Sequence, residues 1–248
     1  MSAALYINGR QNKADFLVGS RTISQQLQQI VNQTQTGFYP RNANFKCDIN
    51  LAFAPNVHIT PGGTADLGEN GDCIFAGTAV VFDPSASQNT AYRSYALAGR
   101  RTYTNASQVV DVDSAKVAWV TANPYATDTL KVLNGLTYYG GRNKGAPTWN
   151  TSSRFGVAFL SSFADFGANN DGGSQRIELR GFTTAWGVGV SDLDVINSEA
   201  GQPNPYGVGT LSGVELCFNS GGTDQSVVVS VSDGLAATYA IKAGSNCP

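Results

Sequence analysis

Residues 14–36, ADFLVGSRTISQQLQQIVNQTQT, decide how the rest of this chain is read. Ile23, Leu27, Ile30, Val31 and Thr34 recur at i, i+4, i+7, i+8 and i+11, which gathers them into one stripe on a helix of 3.6 residues per turn. Gln25, Gln26, Gln28, Gln29, Gln33 and Gln35 occupy much of the remaining surface. A helix with a single apolar stripe gains little stability alone and predicts a packing partner. Gly37 is placed to cap its C-terminus and Pro40 to stop it. Upstream, the apolar content is less regular, and Gly9 and Gly19 weaken a continuous helix without forbidding it. The first 37 residues therefore read as one helical unit.

Beyond Pro40 the periodicity changes to two. Residues 73–82 (CIFAGTAVVF), 107–113 (SQVVDVD), 115–122 (AKVAWVTA), 155–163 (FGVAFLSSF), 175–182 (QRIELRGF), 212–218 (SGVELCF), 226–232 (SVVVSVS) and 237–243 (ATYAIKA) all read as strands. Turn residues punctuate them, notably NNDGG at 169–173, NSGGTD at 219–224 and Asp233-Gly234. Residues 135–153, rich in Gly, Tyr, Asn and Trp, read as a large surface loop. The predicted class is α+β and β-rich: residues 1–37 form an amphipathic helix packed through Ile23, Leu27, Ile30 and Val31 on an antiparallel β domain, residues 38–248.

The 248 residues suffice for a substantial core. Charged residues make up 14%, against roughly 25% in typical soluble domains. With 28 Gly and a polar complement of Asn, Gln, Ser and Thr, the chain suits an extracellular surface better than a cytosolic enzyme. Net charge is −2, with about +4 in the first 46 residues and −6 in the rest, so no global basic field draws nucleic acid. No stretch is long and apolar enough for a membrane helix. Cys47, Cys73, Cys217 and Cys247 form an even set without CxxC spacing, and only His58 could join them at a metal. Two disulfides in an oxidising compartment are expected; four cysteines allow three connectivities, and the residues alone do not choose among them. An export segment ahead of Met1 is the corresponding expectation.

No catalytic constellation emerges. His58 is the sole histidine and no Ser or Cys lies in a nucleophile elbow. The acid pairs Asp111 with Asp113 and Asp192 with Asp194 read as solvated residues near turns. NNDGG lacks the alternating ligands and closing Glu of a Ca²⁺ loop, and the Gly pairs do not open helices after strands. The expectation is a protein without enzymatic activity, cofactor or metal. Tyr138, Tyr139, Arg142 and Trp149 cluster in the Gly-rich stretch, where they would stack on a partner or a sugar, or else fold under the loop as a satellite core. Sequons occur at Asn32, Asn105 and Asn150, as chance allows in so Asn- and Thr-rich a chain.

Two phrases resemble the type IV pilin and pseudopilin family, most closely its GspH/FimT-like branch. SRTISQQLQQIVNQTQT, residues 20–36, resembles the end of a pilin helix just before the globular domain. VELCFNSGGTDQSVVVSVSDGLAATYAIKAGSNC, residues 214–247, resembles that branch's closing strands, with Cys then Phe on a strand, a Gly-rich turn, two more strands and a last Cys. The likeness covers about the first 46 and last 40 residues. It implies a leader and an apolar helix ahead of Met1, which would be the chain's link to a membrane. It implies a major or minor subunit of an extracellular filament active in adhesion or motility, partnered by other subunits and by a cell-surface or glycan ligand. With the resemblance in place, a meander over residues 213–243 would return Cys247 to Cys217, leaving Cys47 for Cys73. Two other readings stand beside it: a viral capsid or receptor-binding β-sandwich, and a secreted carbohydrate-binding protein using Tyr138, Tyr139 and Trp149.

Overall fold

A computed structural model describes residues 2–36, 45–48, 58–61, 74–85, 87–101, 117–131, 135–161, 177–182, 191–193, 196, 213–220, 224–232, 236–244 and 247. Helix α1 spans Ser2–Gln35, so the helical conformation runs straight through Gly9 and Gly19 and begins well before position 14. Ile23, Leu27, Ile30, Val31 and Thr34 are all buried, and Phe16 and Ser20 extend the same stripe toward the N-terminus. Residues 11–15 are exposed. The buried hydroxyl of Ser20 donates to the Phe16 carbonyl at 2.7 Å, which spares it an unpaired polar atom in the core. At the C-terminus Thr36 does the capping: its hydroxyl donates to the carbonyls of Asn32 (3.0 Å) and Gln33 (3.2 Å). Gly37 and Pro40 lie outside the described residues.

Eleven strands follow in the described residues: β1 (Phe45–Asp48), β2 (His58–Pro61), β3 (Ile74–Phe82), β4 (Ala91–Arg101), β5 (Val117–Lys131), β6 (Leu136–Asn143), β7 (Phe155–Ser161), β8 (Ile177–Phe182), β9 (Gly213–Ser220), β10 (Gln225–Ser232) and β11 (Ala237–Ala243). They form a two-stranded ribbon, β1-β2, a four-stranded sheet, β11-β10-β9-β6, and a five-stranded sheet, β5-β4-β3-β7-β8. Every pairing is antiparallel. The class is α+β and β-rich, with one long helix against two antiparallel sheets. The strand expected at 107–113 and the turns at 169–173 and 233–234 fall outside the described residues.

One core joins the three layers. The five-stranded sheet sends in Val80, Phe82, Tyr92, Phe155, Val157 and Phe159. The four-stranded sheet sends in Leu136, Tyr138 and alternate residues of β9 and β10, and α1 closes the space with Phe16, Ile23, Leu27, Ile30 and Val31. Phe82 bridges the sheets: its ring stacks on Tyr138 at 5.0 Å and meets Phe218 edge-on at 5.9 Å. Burying Ile23, Leu27, Ile30 and Val31 contributes about 6 to 10 kcal/mol before entropy.

Strands β1, β2 and β4 lie where no strand was expected, and β6 and β5 overturn and extend the sequence reading. Residues 135–153 are not a large surface loop, because β6 runs through them as an edge strand paired with β9. The glycines that suggested a loop serve packing: a Cβ on Gly140 would come within 2.7 Å of the Asn150 carbonyl, and one on Gly141 within 2.5 Å of the Phe155 ring. A register shift between Tyr138 and Gly140 marks a bulge there. Strand β5 continues past residue 122 to Lys131 despite Pro124. It is the edge of its sheet, and residues 123–126 fall where the register with β4 slips, so the missing proline N–H disrupts no ladder.

Candidate functional site

The two features that the resemblance emphasised, the helix end and the closing meander, meet at Ala237. The Ala237 N–H donates to Oε1 of Gln28 at 2.8 Å, and the Ser24 hydroxyl donates to the Ala237 carbonyl at 2.9 Å. Ser24 and Gln28 are one turn apart on α1, so the pair supplies a donor and an acceptor at strand spacing. Strands β9, β10 and β11 form the meander, with Val228 opposite Cys217 and Ala240 opposite Val228. Cys217 points to the face of β9 opposite Leu216 and Phe218 and is fully buried. Cys217 and Cys247 sit at disulfide distance, their Cα atoms 6.3 Å apart and 30 positions apart in sequence. Cys47 lies on β1, and Cys73 is outside the described residues.

The Tyr138, Tyr139, Arg142 and Trp149 group divides. Tyr138 belongs to the core at 2% exposure and is no partner surface; the alternation of β6 turns it inward with Leu136. Burial, with the nearby Asp83 charge, pushes its phenol well above its usual pKa. Its hydroxyl has no hydrogen-bond partner among the described residues. Tyr139 is half-buried at the bulge. Arg142 and Trp149 do come together: the guanidinium lies 4.1 Å from the indole centroid while its Nε donates to Glu215 Oε2 at 2.6 Å. The chain turns after β6 at Gly145, whose φ is +87°, and the Gly141–Asn150 bridge returns Trp149 over the strand. With one face on an indole and its edge on a carboxylate, Arg142 fastens the loop to the sheet.

A second charged group was not foreseen. On the outer face of the five-stranded sheet, Asp83, Arg93, Arg154 and Asp192 alternate in sign. Arg93 Nε donates to Asp192 Oδ2 at 2.5 Å and Arg154 Nη1 to Asp192 Oδ1 at 2.8 Å. Arg154 Nε donates to Asp83 Oδ2 at 3.0 Å, the Tyr95 hydroxyl donates to Asp192 Oδ2 at 2.8 Å, and Arg93 also donates to Gln88. Asp192 is thus a buried, doubly paired carboxylate rather than a solvated turn residue, because the helical residues 192, 193 and 196 are drawn onto the sheet. Burial acts to raise the Asp83 carboxyl, but hydrogen bonds from Ser85 and the Arg154 charge outweigh it and hold the group below 3.8. Burial likewise opposes charge on Arg93, and Asp192, Tyr95 and Asp83 more than offset it. Every charge is matched, so the cluster fastens the segment around Ile196 over the sheet. No element spacing betrays such a group, whose members lie at 83, 93, 154 and 192.

His58 stands on β2 opposite Asp48 in register. Among the described residues no three His, Cys, Asp or Glu side chains gather as metal ligands. Among them, too, no helix is long and apolar enough to cross a membrane.

Comparison with protein-family models, curated proteins and solved structures finds no match for this chain. The functional reading therefore rests on the helix, the meander and the surfaces described above.

Proposed function

We propose that the chain is the globular part of a structural subunit, a major or minor pilin or pseudopilin, of a type IV pilus-like extracellular filament. The observation that carries the reading is α1. At 1.5 Å per residue its 34 residues extend roughly 51 Å. Over residues 11–36, whose burial is described, the buried stripe starts at Phe16, and residues 11–15 lie exposed ahead of it. A long helix whose C-terminal half is seated in a two-sheet body while residues 11–15 stand exposed suits a subunit whose helices pack together while the bodies face outward. The closing meander, tied by Cys217 and Cys247 and braced on Ser24 and Gln28, supports the same reading.

In this role the chain carries no catalytic activity and needs no cofactor or nucleic acid. Its partners are other subunits and, through the surface at Tyr139, Arg142 and Trp149, a cell-surface or glycan ligand. A carbohydrate-binding alternative loses Tyr138, whose ring is in the core. Immunogold electron microscopy on cells that encode the chain, using antibody to the β domain, tests the proposal. Label along extracellular filaments, lost when the gene is deleted, is expected. Label confined to the cytoplasm, to virus-like particles or to a freely secreted fraction would overturn it.

A further inference from the structure

The free edge of β11 is defined by its hydrogen-bond phase. The Gly244 N–H donates to the Asp224 carbonyl at 3.1 Å, just beyond the strand pairing that sets Ala243 against Gln225. Antiparallel ladders alternate between bonded and non-bonded pairs. Thr238, Ala240 and Lys242 therefore turn their N–H and C=O groups to β10, while Ala237, Tyr239, Ile241 and Ala243 turn theirs outward. The helix contacts agree, since Ser24 and Gln28 take up the outward groups of Ala237. They stand in for a neighbouring strand at one position. Beyond that point no partner for Tyr239, Ile241 or Ala243 is found among the described residues. The opposite edge of the sheet is covered, with the Tyr138 N–H donating to Asn89 and Gly141 bridged to Asn150.

The side chains on this open stretch are apolar. Tyr239 is 39% and Ile241 36% exposed, on the sheet face that carries Val227 and Val229. Leu17, 51% exposed, lies on the same stripe of α1 as Ser24 and Gln28, at i+7 and i+11. The stretch is also self-complementary. Its three outward residues are centred on Ile241, so an antiparallel two-fold about that residue sets Ile241 against Ile241 and Tyr239 against Ala243, using every free group and sparing Ala237. The same register places Lys242 opposite Ala240, so no like charges stand directly opposed, and brings Tyr239 diagonally onto the second Ile241.

We propose that the half of β11 without a partner among the described residues pairs edge to edge with the same segment of a second copy, about a two-fold axis at Ile241. The two four-stranded sheets then run on as one. This contact closes on itself, unlike the head-to-tail contacts from which a filament grows, and stands whether or not the filament reading holds.

Sedimentation velocity on the purified chain from micromolar to near-millimolar concentration should show reversible dimerisation. Ile241→Pro removes an N–H that faces solvent and should weaken the dimer by about tenfold or more while leaving the fold, read by circular dichroism, intact. Tyr239→Lys combined with Ile241→Lys should act likewise without a backbone constraint. In hydrogen exchange the amides of Tyr239, Ile241 and Ala243 should slow as concentration rises, whereas those of Thr238, Ala240 and Lys242 are slow throughout. A monomer at every concentration, a dimer indifferent to both variants, or protection gained elsewhere would overturn the proposal.

Discussion

Asp83 and Gly141 show how single positions hold this molecule together. Asp83 sits against Arg154 and Ser85 with its carboxyl held below 3.8. A depressed folded pKa adds stability that is complete above the unfolded value and disappears as pH falls through the folded one. Melting temperatures of the native chain should therefore drop as pH falls below about 4, and Asp83→Asn should flatten that slope. At neutral pH the same variant removes one of the two carboxylates that Arg154 bonds, while Asp192 remains, and should cost about 1 to 3 kcal/mol. Equal acid sensitivity in the two proteins would contradict this role. Gly141 is constrained by space instead, since its Cβ position is already filled by the Phe155 ring. Gly141→Ala should lower stability by about 1 to 3 kcal/mol in urea denaturation, with Gly135→Asn as a comparison at a site of positive φ and open space.

Between single residues and the whole lie the helix and the closing meander, where the consequences of a change are larger. Leu27 is 1% exposed in the middle of the stripe, and Leu27→Asp should remove about 4 kcal/mol or more. Loss of helical circular dichroism and of a cooperative melt is the expected result; an unchanged melt would mean that the helix does not hold the core. Cys247→Ser opens a closure of 30 positions and should cost about 3 to 4 kcal/mol, and non-reducing peptide mapping of the native protein should recover Cys217 with Cys247. These elements are the ones that periodicity displays best. The 3.6-residue spacing of Ile23, Leu27 and Ile30 and the alternation in SVVVSVS are properties of contiguous residues. Strand β6 escaped because Gly140 and Gly141 resemble turn residues until the crowding around them is known. Strand β4 escaped because Arg93 and Arg100 interrupt its apolar pattern, and Arg93 is tolerated only through carboxylates that the fold brings from elsewhere. The charged cluster was illegible for the same reason: its partners are neighbours in space alone.

Three layers share one core, so the molecule should melt as a unit. Because α1 packs against β7 of one sheet and β10 and β11 of the other, its removal would uncover both, which couples the sheets through the helix. Helical circular dichroism, tryptophan fluorescence and calorimetry should give coincident transitions. Separated transitions for helix and sheets would show that the layers are stable independently.

The hydrogen bond from Ser24 to Ala237 spans 213 positions of sequence. During synthesis at about 5 to 20 residues per second, the helix waits roughly 10 to 40 s for the strand that takes up its polar face. Until then β3, β6 and β7, made earlier, can cover part of the apolar stripe, but the helix lacks its contact with the outer strand of the four-stranded sheet. The complete fold therefore waits for the synthesis of residue 237.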